Sequence, residues 1–158
     1  MGNREDGLSR SEVAVQIKRL PGSDDLPLPE YQTPDSAAVD LHAAVTESVS
    51  VSPGEIKLIP TGLAIALPPG YEAQVRPRSG LAVKHGLSLP NTPATIDADY
   101  RGEIRVPMIN HGKAAVVIER GMRIAQMLVT PVPRIVWDVV DELPDSDRGA
   151  GGFGHTGN

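Results

Sequence analysis

The dominant pattern of apolar and polar positions along this chain has a period of two. Val13, Val15 and Ile17 alternate with their neighbours, as do Leu63, Ile65 and Leu67, and then Tyr71, Ala73 and Val75. Ile104, Val106 and Met108 repeat the pattern, interleaved with Glu103, Arg105 and Pro107. Successive side chains of a strand point to opposite faces, so this alternation predicts half-buried strands. Two more continuous apolar runs, Val116-Val117-Ile118 and Ile124 to Val129 around Gln126, predict strands buried on both faces. Turn chemistry separates these segments at Pro53-Gly54, Pro68-Pro69-Gly70, Asn110-His111-Gly112 and Pro131-Val132-Pro133. No window of a dozen residues carries a helical period. The single helical candidate is short, Ser79 to Lys84, just after a proline that ends the preceding strand. Many short strands with regular turns predict an all-β fold: an antiparallel sandwich, jelly roll or barrel.

Composition narrows this picture. A chain of 158 residues suits one compact domain. Hydrophobic residues make up 40% of it but aromatics only 3%, so the core must be built from Val, Ile, Leu and Ala. The absence of cysteine removes disulfides, thiolate nucleophiles and cysteine-based zinc sites. From Asp141 onward the apolar supply nearly stops, leaving Leu143 and Phe153. The expected organisation is therefore a loose extension over 1–12, a β domain over 13–140 and a C-terminal arm over 141–158. A net charge of -5 argues against sequence-independent binding to nucleic acid, because polyanions would be repelled. The start, MGNREDGLSR, is charged and has no apolar run, so neither a signal peptide nor a membrane span is read there. Gly2 suits myristoylation, but Asp6 stands where Ser or Thr is wanted. The expected location is the cytoplasm.

The arm holds Arg148-Gly-Ala-Gly-Gly-Phe-Gly-His-Thr-Gly157, five glycines in ten positions. Glycine loses more backbone freedom on ordering than any other residue, so such a segment stays mobile until something binds it. It carries a guanidinium for phosphate, an aromatic face for a base and free backbone N–H groups. Either it is a lid for a phosphorylated, base-containing small molecule or it is a disordered tail.

Four further clusters carry chemistry. In Ala37-Ala-Val-Asp-Leu-His-Ala43, Asp40 interrupts small and apolar residues, where a carboxylate needs a cation, a donor or water unless it faces solvent. Arg76-Pro-Arg78-Ser79-Gly80-Leu81 places a guanidinium, a hydroxyl and backbone N–H groups at the start of the short helix, which suits an anion or an ordinary turn. The third cluster runs from Asn91 to Gly102 and includes Thr95, Ile96, Asp97, Asp99 and Tyr100. Asn91 offers both donor and acceptor, Asp97 a base for water, and Tyr100 a flat wall for a sugar. Asp97 and Asp99, two apart, would face the same way on a strand. The same residues also suit an Asp-rich hairpin loop. In Gly121-Met-Arg-Ile-Ala-Gln126-Met, the Gln126 amide lies in an apolar strand and must bond either neighbouring backbone or a ligand phosphate.

In this order and spacing, AAVDLHA, RPRSGL, NTPATIDADYRGEI, GMRIAQM and RGAGGFGHTG resemble the five motifs of the trimeric dUTP pyrophosphatases, the dUTPases. The resemblance runs from about Ala37 to Gly157. It implies a jelly-roll-like subunit and a homotrimer with active sites between subunits. It also implies hydrolysis of dUTP to dUMP and pyrophosphate with Mg2+, by water attack on the α-phosphorus, limiting uracil in DNA and supplying dUMP for thymidylate synthesis. Asp97 matches the carboxylate that activates the water, and Tyr100 the residue under the deoxyribose that refuses a 2′-hydroxyl. Asn91, Thr95 and Ile96 match the uracil-reading hairpin, and Phe153 resembles the ring that closes over uracil. Arg78, Ser79, Gly80 and Gln126 match phosphate contacts; Arg148, His155 and Thr156 resemble grips on the phosphate chain. Asp40 resembles the carboxylate that orders magnesium-bound water, with the ion held mainly by the triphosphate.

Three positions depart from the commonest pattern: Ala94 and Ala38 stand where glycine is usual or frequent, and His155 replaces the commoner serine. Two other classes compete with this reading. The related dCTP deaminases attack the base and need a glutamate near it, which the Asp97 hairpin is expected to lack. A nucleotide-binding regulator without turnover would lack the base or the lid. A P-loop is excluded because no Gly-Lys-Ser/Thr follows a glycine run.

Overall fold

A computed structural model describes residues 12–152. It contains β1 (Gln16–Arg19), β2 (Val39–His42), β3 (Val49–Val51), β4 (Ile56–Pro60), β5 (Leu63–Ala66) and β6 (Tyr71–Pro77). Helix α1 (Ser79–His85) follows, then β7 (Leu87–Ser88), β8 (Ala94–Ile96), β9 (Arg105–Asn110), β10 (Val116–Ile118) and β11 (Arg123–Pro131). The fold is all-β and jelly-roll-like, with antiparallel sheets β2-β11-β6-β8, β4-β9-β7, β1-β5 and β10-β3.

Period-two patterning governs where strands form. On β9, Val106, Met108 and Asn110 point inward while Arg105, Pro107 and Ile109 do not, and on β6 Ala73 and Val75 are the buried pair. Leu41, Ile59, Leu87, Met108, Ile118 and Ile124 are the largest fully buried apolar side chains, each contributing roughly 1.5–3 kcal/mol. The core is aliphatic, as the shortage of aromatics requires. Asn110 closes it at one end: its amide donates to the carbonyls of Val51 and Ala114, both at 2.8 Å.

Two details of the pattern differ from expectation. Val117 is 51% exposed, because β10 pairs only with β3 and so buries one face, through Ile118. The first strand begins at Gln16 and all four of its residues are exposed, since it pairs with β5 at the margin of the body.

The helix begins without a side-chain cap at Arg78 and ends at Gly86, whose φ of 71° supplies the left-handed turn that bonds back to Ala82 and Leu81. Among the described residues, regular structure ends at Pro131. Beyond it Ile135, Val136, Trp137, Val139 and Leu143 are exposed.

Candidate active site

One sheet carries most of the chemistry. Its central strand, β11, sets Gln126 opposite Asp40 of β2 and Arg76 of β6, while β6 sets Ala73, Gln74 and Val75 opposite Ile96, Thr95 and Ala94 of β8. Antiparallel pairing thus collects residues far apart in sequence along two edges, about 14 Å apart across three strand spacings.

At the β8 edge lies a cavity of about 350 Å3 walled by Asn91, Ala94, Thr95, Ile96, Asp97 and Tyr100, with Leu58, Val75, Glu103, Ile104, Arg105 and Pro107 completing it. Ala94 and Ile96 are each 9% exposed and belong to the hydrophobic core, so the cavity's floor is rigid and the methyl at Ala94 is packed. Asn91, Thr95, Asp97 and Tyr100 face outward around it. The Tyr100 hydroxyl donates to the Glu103 carbonyl at 3.0 Å. Its ring lies so close to Gly102 that a Cβ there would come within 2.6 Å of the ring's Cζ, which only glycine avoids.

Asp97 and Asp99 do not share a strand. β8 ends at Ile96, and the Tyr100 N–H donates to the Asp97 carbonyl at 3.1 Å, so both carboxylates sit in a turn and the same-face expectation fails. Asp97 borders this cavity and a neighbouring one of about 600 Å3; Asp99 borders only the neighbour. A glutamate, Glu103, does line the first of these cavities, contrary to expectation. Each oxygen of Glu103 accepts one hydrogen bond, from the Gly62 N–H at 2.9 Å and from Arg105 Nε at 2.8 Å. That hydrogen bond holds the Arg105 guanidinium above its ordinary pKa. Among the described residues no side-chain bond engages Asp97.

At the other edge, a polar cavity of about 280 Å3 is lined by Asp40, Arg78, Ser79, Gly80 and Gln126, together with Gln32, Ser36, Ala37 and Ala38. Asp40 is 7% exposed and carries two cations, Arg78 Nε on Oδ1 at 2.9 Å and Arg123 Nη1 on Oδ2 at 3.1 Å. Of the alternatives open for this carboxylate, the cation is the one found. The Gln126 amide donates to the Pro77 carbonyl at 2.8 Å, bonding the backbone where β6 ends. No residue borders both cavities.

His42, two residues after Asp40, has a buried Nδ1 with no partner among the described residues. Its pKa is lowered, chiefly by burial; the Asp40 carboxylate opposes this most, the Arg123 and Arg78 charges add to the lowering, and Glu30 opposes it slightly. The imidazole is therefore held neutral.

Among the described residues no cluster of three His, Asp or Glu could hold a metal ion. The donor set suits magnesium, which keeps several waters and binds through substrate phosphates and one or two carboxylates. Asp40 fits the carboxylate part, because each oxygen bonded to a guanidinium still has a lone pair for a metal-bound water.

Arg148 lies away from both cavities, its Nε donating to the Gly151 carbonyl at 2.7 Å. Phe153, His155 and Thr156 fall outside the described residues. Sequence reasoning passed over Arg123 and Glu103. Both stand inside quoted motifs, and the signal for Arg123 was the need of Asp40 for a cation.

A family model described as dUTPase matches residues 24–157. The chain is 61% identical over 149 residues to a deoxyuridine 5'-triphosphate nucleotidohydrolase of Maricaulis maris, covering 93% of this chain and 98% of that one. It is 57% identical over 143 residues to the protein of the same name from Rickettsia felis, covering 90% and 96%. Among solved structures it resembles the Staphylococcus bacteriophage 80alpha dUTPase with dUpNHpp, at 26% identity and TM-score 0.80 over 92% of this chain and 99% of that one. A mutant dUTPase from phage phi11 of S. aureus, whose structure describes coordination of a structural Mg(II) ion, shares the fold at 23% identity and TM-score 0.72, over 82% and 97%.

Proposed function

The chain belongs to the dUTPase family and hydrolyses dUTP, and on that premise we propose how its own residues do so. Asp97 takes a proton from a water aligned with the α-phosphorus. The water oxygen bonds to that phosphorus, the bond to the bridging oxygen breaks, and pyrophosphate leaves while dUMP stays on the base side. The observation that supports this reading is the Asp97 carboxylate at the edge of the cavity shared with Asn91 and Tyr100, while the cavity's other carboxylate, Glu103, is paired with Arg105 and the Gly62 N–H.

Asn91, Thr95 and Ile96 read the uracil, and Tyr100 supports the deoxyribose, where a 2′-hydroxyl would collide. Arg78, Ser79, Gly80 and Gln126 hold phosphate oxygens. A Cβ at Gly80 would meet nothing within 4 Å, so the position is open to a close approach from outside the chain. Arg148, His155 and Thr156 grip the phosphate end and Phe153 covers the base, completing a C-terminal arm that excludes water. Magnesium, when bound, offsets triphosphate charge and polarises its oxygens, and Asp40 orders water around it. Hydrolysis supplies dUMP for thymidylate synthesis and, by removing dUTP, keeps uracil out of DNA.

The assembly is a homotrimer with shared sites. Two observations support it: the cavities share no wall residue, and the run from Ile135 to Val140 is too apolar to stand in water uncovered. Trp137, 81% exposed and the chain's only tryptophan, reports on this directly. Its fluorescence should shift to the red on dissociation.

Pyrophosphate release is to be assayed with dUTP, dCTP, dTTP and UTP, with and without magnesium. Strong turnover of dUTP alone, dependent on magnesium, is expected. Ammonia release from dCTP, or equal turnover of UTP, would overturn the reading.

A further inference from the structure

The turn that carries Asp97 also carries Tyr100, and one exposed side chain ties the two together. Arg101 Nη1 donates to the Ala98 carbonyl at 2.7 Å and to the Tyr100 carbonyl at 2.8 Å. The Tyr100 N–H closes the same turn onto the Asp97 carbonyl. A single guanidinium nitrogen thus holds carbonyls on both sides of Asp99. Bonds from a charged donor are about twice as strong as neutral ones. Without it, the turn would keep one backbone bond and regain freedom between β8 and Gly102.

We propose that Arg101 is a positioning residue that locks Asp97 and Tyr100 in one geometry, so that water activation and sugar discrimination are set together. The inference rests on the roles given above to Asp97 and Tyr100. It follows from where the carbonyls lie. The Ala98 carbonyl belongs to the peptide between Ala98 and Asp99, one residue beyond the base, so holding it restrains the turn that presents Asp97, and the Tyr100 carbonyl fixes the peptide that follows the ring. The ring is already held at its far end by the Glu103 carbonyl and by the space at Gly102. Arg101 fixes the near end.

The test uses the full-length enzyme and three variants. Arg101→Met keeps the apolar stem but removes the donors. Arg101→Lys restores a charged donor with several hydrogens, and Tyr100→Ala serves as a control. The readouts are kcat, KM, the ratio of kcat/KM for dUTP over UTP, and Tm. Misplacing a catalytic group by about 1 Å can cost roughly 10²-fold. Partial release of one turn should cost Arg101→Met roughly tenfold in kcat, and roughly fivefold in dUTP preference, with a small Tm change. Arg101→Lys should recover much of both.

Unchanged kcat and preference in Arg101→Met would overturn the proposal. So would a loss of kcat with the preference intact, or a variant that does not fold, which would assign Arg101 to stability alone. If Tyr100→Ala keeps the wild-type preference, the sugar-support reading of Tyr100 is at fault. The kcat of Arg101→Met then decides the proposal by itself.

Discussion

The base-side cavity and the phosphate-side cavity are held in shape by different forces. The first is walled by β8, whose Ala94 and Ile96 belong to the core, and by a turn fixed through backbone bonds. Its shape is set before any ligand arrives. The second is held by charge: Asp40 lies between Arg78 and Arg123 and forms an ion pair with each. A phosphate arriving there competes with Asp40 for Arg78. Packing therefore shapes the first cavity and ion pairs the second; on the proposed reading the first would select base and sugar and the second would receive the triphosphate. A polyanion could not be held by a rigid cationic pocket without leaving unpaired charge when the site is empty.

The largest expected effect lies on the base side. Asp97→Asn should lower hydrolysis by roughly 10²-fold or more while keeping affinity, as measured by turnover beside calorimetric titration of dUTP. Unchanged turnover would move the base elsewhere. On the phosphate side, Asp40→Asn weakens both ion pairs of a buried carboxylate and should cost about 1–2 kcal/mol of stability, discounted for the partial exposure of both arginines. Half-maximal rate should then need more magnesium; a normal magnesium titration would separate Asp40 from the metal. Ile96→Val, which only trims the packed wall, should cost about 1 kcal/mol by thermal unfolding. If it costs more than Asp40→Asn, the contrast between the cavities is wrong.

The smallest effect concerns pH. The folded-state pKa of His42 is lowered, so the folded protein binds this proton less readily than the unfolded chain. Stability is then intact above about pH 6.5 and falls as pH drops from there towards the lowered value. His42→Gln should flatten that part of a Tm profile between pH 7.5 and 5.5.

Legibility in the sequence followed element length. β6 and β9 are long enough to show a period, readable from Tyr71 and Ile104 onward, and β11 is legible as a continuous apolar run from Ile124. β3 and β8 have three residues and β7 two, too short for any period; only pairing defines them. The clusters at the candidate site were legible as chemistry because Asp40, Gln126 and Asp97 each break an apolar or turn context. Their partners were not. Arg123 reaches Asp40 across 83 positions, through a register that no local pattern encodes. The turn at Asp97 to Tyr100 reads as strand alternation until the bond between Tyr100 and Asp97 is known.

If the sites are shared as proposed, Asp97 acts on a phosphorus delivered by the phosphate-side cavity of another copy. Asp97→Asn and Arg78→Ala proteins, each inactive alone, are to be mixed, unfolded and refolded together, and assayed for pyrophosphate release from dUTP. Random assortment of chains should return about a quarter of wild-type activity, because that fraction of sites joins an intact Asp97 to an intact Arg78. Activity no higher than either parent would place both residues in sites built within a single chain and contradict the account.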